Sequence, residues 1–349
     1  MIFKELRTLT QEIIFKKPSK FLNLKMKKIL PFLLLFLFSC SKEENHSHTF
    51  YYWRTHLSLN ATEKNALQKS NDTKLYTRFF DVDKMSGKFQ PIGVITKDKN
   101  FQTNKEIVPV VFIMNRTFLN IKPNEITFLA ESVFNLIQIK TEEFQFKNSN
   151  EIQIDCDWTS GTKDDYFKFL NELKKISEKN ITCTLRLHQV KDKAKTGIPP
   201  VKKVYLMCYS TTSPLENSDK NSILEVQILK NYLADLEKYP IKKIDIALPI
   251  YSWGIVTNHL GKRKLINALS QKDLENTAFK KISETEAEVL QDGFYFGVYL
   301  NKGFKIKIEE ISEKQLEEVI FFLDKKIPQY NIVYYHLDSR FLNHPILQQ

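Results

Sequence analysis

The sequence predicts an α/β protein built as a closed (β/α)8 barrel, with a small β-hairpin inserted after the seventh strand. Eight short runs of β-branched and aromatic residues follow one another along the chain, and stretches of helical periodicity separate several of them. Eight strands with intervening helices is the count of a TIM-like barrel. The 349 residues, 42% of them hydrophobic, are enough to build its core.

The predicted strands are, in chain order, TFYYWRTHL, KLYTRFFDVD, VPVVFIMNR, EIQIDCDW, ITCTLRLHQ, KKVYLMCYS, KIDIALPIYSW and NIVYYHLDSR. The clearest predicted helices are DDYFKFLNELKKISEKN, SILEVQILKNYLADLEKY and SEKQLEEVIFFLDKKI. In the second unit, GKFQPIGVI favours a hairpin over a helix. After the seventh strand, DGFYFGVYLNKGFKIKIEE predicts the inserted hairpin, with Asn301, Lys302 and Gly303 at its turn.

The leader carries the most specific motif of the chain. MKKILPFLLLFLFSC, which ends at Cys40, has a basic start, an apolar run over residues 29–38 and a small residue before the cysteine. The run is about half as long as a membrane-spanning helix requires, so it predicts a signal peptide. It resembles a bacterial lipoprotein signal, with Leu37, Ser39 and Cys40 at the lipobox positions. The resemblance implies that translation starts at Met26 and that Cys40 is lipidated; a buried N-terminal helix is the alternative.

This leader fixes the predicted domain organisation and location. Residues 1–39 are the leader, residues 40–49 a tether and residues 50–349 one barrel domain. The SKEE segment after the cysteine resembles the tag that sends some gram-negative lipoproteins to the outer face of the outer membrane. Acyl chains anchor a protein by burying methylene groups, at about 0.8 kcal/mol each. We therefore expect a lipid-anchored outer-membrane protein that faces the cell exterior.

Charge and cysteine content exclude several classes of function. Residues 1–39 hold eight Lys and Arg against two Glu, so +6 of the formal net charge of +11 lies in the leader. No helix or stripe combines clustered Lys and Arg with interleaved aromatics, so we expect no nucleic-acid partner. Cys156, Cys183 and Cys208 are odd in number and lack paired spacing, which argues against disulfides and a zinc site. We expect buried cysteines, no metal or cofactor, and a monomer.

Polar and aromatic residues end the predicted strands with a period of two, on the face that points inward. The carboxyl ends of the strands form the open mouth of such a barrel. In strand order, this ring contains Arg54 and His56; Arg78, Asp81 and Asp83; Asn115 and Arg116; Asp155 and Asp157; Arg186 and His188; Tyr209; Tyr251 and Trp253; and Tyr335 with Asp338. Charges inside a barrel are costly unless paired, so the ring indicates either a salt-bridge network or a ligand site. We favour a site.

Four strand ends resemble family 18 of the glycoside hydrolases, the chitinase group. IQIDCDWT, followed by YFKFLNELKKI, is similar to the fourth strand and helix of that family, whose signature is D-x-x-D-x-D-x-E. LMCYS resembles the sixth-strand Met-x-Tyr-Asp, with Met207 and Tyr209 matching, and LPIYSWG resembles the seventh-strand Leu-Pro-x-Tyr-Gly, with Tyr251 matching. In VYYHLD, Tyr335 takes the place of the tryptophan beneath the sugar. The resemblance implies a barrel that acts on a glycan or oligosaccharide.

The departures from that family concern its catalytic groups. With Asp155 and Asp157 on the second and third aspartates, Ile152 takes the first and Thr159 the glutamate, while Ser210 replaces the sixth-strand aspartate. The family's glutamate protonates the leaving oxygen while an aspartate orients the substrate's acetamido group. Threonine is no acid at useful pH, and loss of a general acid costs about 10²- to 10⁴-fold in rate. We therefore do not expect the usual chitinase mechanism.

Asp155 and Asp157 are the predicted catalytic pair. Strand residues two apart lie roughly 6.6 Å from each other on one face, close enough for two carboxyls to raise each other's pKa. The alternative is that these aspartates pair with Arg186 or Arg116 and only hold the barrel together. We also expect Thr159 to lie on the same inward face as the two aspartates.

Three functions stay open: a surface glycosidase with a non-standard carboxylate pair, a catalytically inactive glycan-binding barrel, and a structural envelope lipoprotein. Aromatic faces stack on sugar rings and tolerate wet surroundings. The arginines at the mouth favour an acidic sugar. The predicted substrate-binding residues are Trp53, Arg54, Asp81, Asp83, Arg116, Trp158, Arg186, Tyr209, Tyr251, Trp253 and Tyr335.

Overall fold

The structure, a computed structural model, describes residues 46–216 and 219–348 and is built around a closed barrel of eight parallel strands. These strands are β1 (His48–Tyr52), β2 (Lys74–Met85), β3 (Glu106–Ile113), β4 (Glu151–Asp155), β5 (Asn180–Arg186), β6 (Lys203–Met207), β7 (Lys243–Pro249) and β8 (Ile332–Tyr335). Each strand pairs with the next, and β8 pairs with β1, which closes the barrel. The predicted fold class is confirmed.

The helices of the structure pack around this barrel. They are α1 (Ala61–Lys69), α2 (Pro123–Glu143), α3 (Lys163–Ser177), α4 (Leu187–Lys191), α5 (Lys193–Thr196), α6 (Val226–Tyr232) and α7 (Glu313–Asp324). In α3, Tyr166, Phe169, Leu170 and Leu173 are buried at the i, i+3, i+4, i+7 spacing of a helix that packs on a core. Between β2 and β3 there is an antiparallel strand, Lys88–Ile92, as the sequence indicates. Within the described part of the chain, every helix is too short or too polar to cross a bilayer.

The insertion follows β7, as predicted, but it is larger than one hairpin. It contains a five-stranded antiparallel sheet whose strands are, in spatial order, Arg263–Asn267, Trp253–Thr257, Lys305–Glu309, Glu286–Val289 and Phe279–Lys281. A separate hairpin pairs Gly293–Tyr295 with Val298–Leu300. Its turn lies at Phe296 and Gly297, where both residues have the positive φ of a type I′ turn, and not at Asn301 to Gly303.

An ion-pair network fills the barrel at the amino ends of its strands. Glu151 is buried and accepts hydrogen bonds from Lys74 Nζ at 2.6 Å, Tyr205 Oη at 2.6 Å and Thr182 Oγ1 at 3.0 Å. Burial opposes its ionisation, but the charges of Lys203 and Lys74 outweigh burial and hold the pKa of Glu151 below its usual value. These charges serve the fold, because this end of a barrel carries stability.

The three cysteines that the structure describes are buried and form no disulfide. Burial raises the pKa of the Cys183 and Cys208 thiols. A buried, protonated thiol is a poor nucleophile, so Cys156, Cys183 and Cys208 act as small core residues. Cys40, the predicted leader and most of the predicted tether lie outside the described residues, and β1 begins at His48, just before the predicted start of the barrel domain.

Candidate functional site

A cavity of about 330 Å³ opens at the carboxyl ends of the barrel strands. Seven of the side chains predicted for the site line it: Trp53, Asp155, Arg186, Tyr209, Tyr251, Trp253 and Tyr335. They come from six barrel strand ends and from the first strand of the insertion. The structure thus brings together residues that are distant in sequence, at the barrel end where loops can vary without disturbing the core.

Aromatic rings form one wall of the cavity, and Tyr335 stands at their centre. Its ring centroid lies 5.6 Å from Trp53, 5.4 Å from Tyr209 and 5.6 Å from Tyr251. The ring of Trp253 continues the wall at 5.2 Å from Tyr251. Contacting rings at these separations hold one another in place, so the wall is formed before any ligand binds.

Trp253 is fixed by a buried carboxylate of the insertion. Its Nε1 donates a hydrogen bond to Glu309 Oε2 at 2.9 Å. The same carboxylate accepts hydrogen bonds from the amide of Ser222 at 3.0 Å and from the Ser222 hydroxyl. Glu309 lies on the neighbouring strand of the sheet and Ser222 on the loop between β6 and α6. One carboxylate therefore ties the insertion to the barrel and orients a wall of the cavity.

Asp155 lies at the floor of the cavity in a dry environment. It is 3% exposed, ends β4 and accepts a hydrogen bond from Thr184 Oγ1 at 2.6 Å. Burial raises the pKa of Asp155 to about 6, Arg186 opposes this rise, and Asp157 adds to it. A carboxyl with this pKa can hold or release a proton near neutral pH, which is what general acid or base catalysis requires.

Arg186 forms an ion pair with Asp157, one of the two predicted catalytic aspartates. Its Nε donates to Asp157 Oδ1 and its Nη2 to Asp157 Oδ2 at 3.0 Å, a bidentate pair. Arg186 lines the cavity, whereas Asp157 is exposed and lies outside it. Asp157 thus has the arginine partner that the structural alternative requires, and Asp155 is the carboxyl that faces the cavity.

Arg54 and Asp81 lie outside the cavity in ion pairs of their own. Arg54 Nη2 donates to Glu63 of α1 at 2.8 Å. Asp81 accepts a hydrogen bond from Arg78 Nε at 2.6 Å. The pairing of β2 with β3 shifts register between Arg78 and Phe80, and such a bulge places two residues three apart on one face. The bulge explains why the period of two fails along β2.

Asp83, Arg116 and Trp158 also lie outside the cavity. Asp83 is buried and pairs with Arg116, whose guanidinium is exposed. Trp158 belongs to the core: it is fully buried, stacks on Tyr166 at 5.1 Å and donates its Nε1 to the carbonyl of Thr196 at 2.9 Å. Its position corrects the expectation that Trp158 contacts a glycan.

Thr159 does not take the position expected for a catalytic glutamate. It is exposed, lies in the turn before α3 and does not line the cavity. Its amide donates to Thr162 Oγ1 at 3.0 Å. Because β4 ends at Asp155, the strand alternation that would point Thr159 inward stops before this residue.

Several lining residues were not among the site residues predicted from the sequence. They are Phe112, Met207, Ser210, Ser252, Asn267, His336, Arg340 and Phe341. Asn267 reaches the cavity because it pairs with Trp253 across the inserted sheet, for which the sequence gives no local signal. Arg340 follows β8 and forms a bidentate pair with Asp338 at 2.9 and 2.7 Å, and the pair holds the pKa of Asp338 at about 2. Arg340 could have been predicted if the set of strand-end residues had been continued two residues beyond Asp338.

His336 is a second titratable group of the cavity. Burial lowers the pKa of His336 to about 4, so the imidazole is neutral at pH 7. Its Nδ1 is buried without a hydrogen-bond partner in the described structure. Across residues 46–216 and 219–348, no three His, Cys, Asp or Glu side chains are grouped so that they could hold a metal ion.

Comparisons with known proteins support the fold. No protein-family model and no curated protein sequence matches the chain. Among solved structures, the spore cortex-lytic enzyme SleL of Bacillus cereus superimposes with a TM-score of 0.54 at 15% identity, over 87% of this chain and 74% of that chain. The C-terminal domain of a putative chitinase from Desulfitobacterium hafniense superimposes with a TM-score of 0.54 at 11% identity, over 87% of this chain and 99% of that chain.

A class V chitinase from Nicotiana tobaccum gives a TM-score of 0.51 at 13% identity, over 87% of this chain and 98% of that chain. At these identities the likeness concerns the fold. The chain therefore shares a closed barrel fold with SleL and these chitinases, and the resemblance predicted from the strand ends is confirmed at the level of fold.

Because the pKa of Asp155 is raised, we expect the wild type to gain stability in acid relative to an Asp155→Asn variant. Its native pKa of about 6 exceeds the ordinary 3.8, so between these values the folded protein binds more protons than the unfolded chain. This contribution is fully present below the ordinary pKa and is lost as the pH rises through about 6, by about 3 kcal/mol at most.

Denaturant unfolding of both proteins from about pH 4 to about pH 7 measures this effect, and subtracting the variant removes the titration of other groups. The free energy of unfolding of the wild type should fall relative to that of Asp155→Asn as the pH rises. A difference that does not change with pH would show that Asp155 titrates normally.

Proposed function

We propose that the mouth of the barrel binds a glycan. The observation that carries this proposal is the cavity itself, in which a preformed aromatic wall around Tyr335 faces a buried carboxyl, Asp155, and a guanidinium, Arg186. Sugars present apolar ring faces and polar edges, and this combination of stacking surface with few placed polar groups suits them.

Two buried polar atoms of the cavity support a polar ligand. Tyr209 Oη and His336 Nδ1 are buried and have no hydrogen-bond partner in the described structure. Buried polar atoms are nearly always bonded, and an unsatisfied one costs about 1–3 kcal/mol. Sugar hydroxyls both donate and accept, so a bound glycan would satisfy both atoms.

Tyr209→Phe tests this role of the hydroxyl. Because Oη has no partner in the protein, the variant should be at least as stable as the wild type, while glycan affinity should fall about tenfold through one lost hydrogen bond. Calorimetric titration with acidic and neutral oligosaccharides measures the affinity. Tyr239→Phe is the matched control, since Tyr239 also has a buried, unpartnered hydroxyl but lies outside the cavity. Equal affinity of both variants would contradict the proposal.

Hydrolysis of the bound glycan is the second candidate, and the raised pKa of Asp155 favours it. Asp155 is the carboxylate among the described lining residues, so it would act as the proton donor, with Asp157 acting through Arg186. The turnover rate should then depend on pH, either as a bell-shaped curve or as a single step centred near pH 6. It should vanish in Asp155→Asn. If wild type and Asp155→Asn bind the same glycan and neither releases product, the barrel binds without cleaving.

The proposed location is the outer membrane, through an acyl anchor on Cys40. The lipobox and the SKEE segment support it. Cys40→Ser should block processing or release the protein from the membrane fraction, whereas Ser39→Ala keeps a small residue before the cysteine and should not. Fractionation with an antibody to the barrel measures this. A wild-type protein found in the cytoplasm with residues 1–39 retained would refute the anchor.

A further inference from the structure

The amino-terminal end of the barrel, opposite the cavity, is rich in lysine. Each of the seven segments that lead into β2 to β8 carries at least one lysine. Some of these lysines are engaged: Lys74 pairs with Glu151 at 2.6 Å, Lys203 with Asp245 at 2.6 Å and Lys326 with Glu237 at 2.9 Å. Outside these pairs, the same end carries Lys69, Lys105, Lys147, Lys179, Lys202, Lys242, Lys243 and Lys325 against Asp72, Glu106, Glu142 and Glu178, so the charge that remains is positive.

Four lysines at this end are exposed and have no ion pair within the described structure: Lys69, Lys147, Lys202 and Lys243. Lys69 ends α1, Lys147 follows α2, Lys202 precedes β6 and Lys243 begins β7, so they are spread around the barrel. Cations spread around one end of a barrel fit an extended anionic surface better than they fit one small anion.

A cleft of about 1180 Å³ opens at the same end, between α1 and the loop after α2. Lys64, Lys97, Lys99 and Lys147 line its rim. Its lining also contains Phe101, Phe144 and Phe146, with Phe146 at 6.2 Å from Phe101 and 5.5 Å from Phe144. Phe101 and Phe144 are buried, so the cleft presents mainly polar groups, and its lysines suit the phosphate of a lipid headgroup.

The chain enters the barrel at this end. His46 is the first described residue and β1 begins at His48, while Cys40 lies six residues before His46. Six extended residues span at most about 20 Å. An acyl chain on Cys40 would therefore hold the amino-terminal end of the barrel, and not its mouth, next to the bilayer.

We propose that the amino-terminal end of the barrel is a docking surface for anionic phospholipid headgroups, which directs the glycan-binding mouth away from the membrane. The orientation rests on the proposed anchor at Cys40, and the headgroup contact rests on the lysines alone. Each basic residue near an anionic surface strengthens binding about fivefold, so the four unpaired lysines together should contribute on the order of 100-fold or more.

The test compares three full-length chains on vesicles of phosphatidylcholine with and without phosphatidylglycerol. The site variant changes Lys69, Lys147, Lys202 and Lys243 to Gln. The control changes Lys262, Lys264, Lys280 and Lys302 to Gln, four exposed lysines of the insertion. We expect the site variant to lose on the order of 100-fold in partitioning onto the anionic vesicles at low salt, the control to match the wild type, and all three to bind neutral vesicles equally through the leader.

Equal partitioning of the site variant and the control would overturn the proposal. Stronger competition by inorganic phosphate than by sodium chloride at the same ionic strength would also overturn it, because it would indicate a small-anion site. Because the four lysines have no ion pairs, the site variant should keep the melting temperature of the wild type; pairwise variants replace it if it does not. Glycan affinity of the site variant should equal that of the wild type, so failure of the docking surface and failure of the proposed function give different results.

Discussion

Glu151→Gln should lower the free energy of unfolding by about 3 kcal/mol, the largest effect on stability that we expect from a single polar change. Glu151 is buried at the amino end of β4 and accepts from Lys74, Tyr205 and Thr182. A neutral amide leaves Lys74 without its carboxylate and cannot accept at both oxygens, so a partly buried ammonium loses its counter-charge.

The loss should depend on pH in a known direction. The pKa of Glu151 lies below its ordinary 4.5, so its stabilising contribution is present above that pH and disappears as the pH falls through the lower native pKa. Denaturant melts of wild type and Glu151→Gln should therefore converge in acid. Glu131→Gln, an exposed change on α2, is the control and should have no effect at any pH. A loss of the same size at acid and neutral pH would mean that shape, not charge, explains it.

Trp53→Ala should weaken glycan binding about 30-fold or more, which corresponds to about 2 kcal/mol. Trp53 follows β1 and packs against Tyr335 at 5.6 Å and Tyr51 at 6.0 Å, so it completes the aromatic wall at the side opposite Trp253. The variant loses a stacking face and opens the cavity to water. Calorimetric titration with the best-bound oligosaccharide measures the affinity.

Phe294→Ala is the matched control for Trp53→Ala. Phe294 is 80% exposed on the inserted hairpin and lies outside the cavity, so its loss removes an aromatic ring without changing the wall. If both variants bind as the wild type does, the cavity is not the glycan site. If Phe294→Ala alone loses affinity, the insertion binds the glycan on its outer face.

The barrel could be predicted from sequence because its strands repeat a strong local pattern. A buried strand such as EIQID needs only its own residues to be recognised, and eight such strands in one chain leave few alternatives. The inserted sheet could not be predicted in full. Its strands Arg263–Asn267 and Phe279–Lys281 are short and partly charged, and each is defined by pairing with strands elsewhere in the chain.

The candidate site could be predicted where strand alternation holds and not where it breaks. Asp155, Tyr209 and Tyr335 lie in or directly after regular strands, and all three line the cavity. Thr159 follows the end of β4, where the period of two no longer applies, and it does not line the cavity. Predicting it correctly would have required the position at which β4 ends.

The inserted sheet also limits how the length of this part of the chain can vary. Trp253 reaches the cavity wall because it is paired in fixed register with Asn267 on one side and Glu309 on the other. A deletion of one residue between Gly254 and Thr257 would reverse the faces of the strand on one side of the deletion, so that the indole could not point into the cavity while the rest of the strand kept its register. The register also keeps Gly254 beside Leu269, where a larger residue would not fit, since a Cβ there would lie 2.7 Å from Leu269 Cδ1. Homologues that keep this wall should therefore differ in length at the loop tips of the insertion, and by even numbers within its strands.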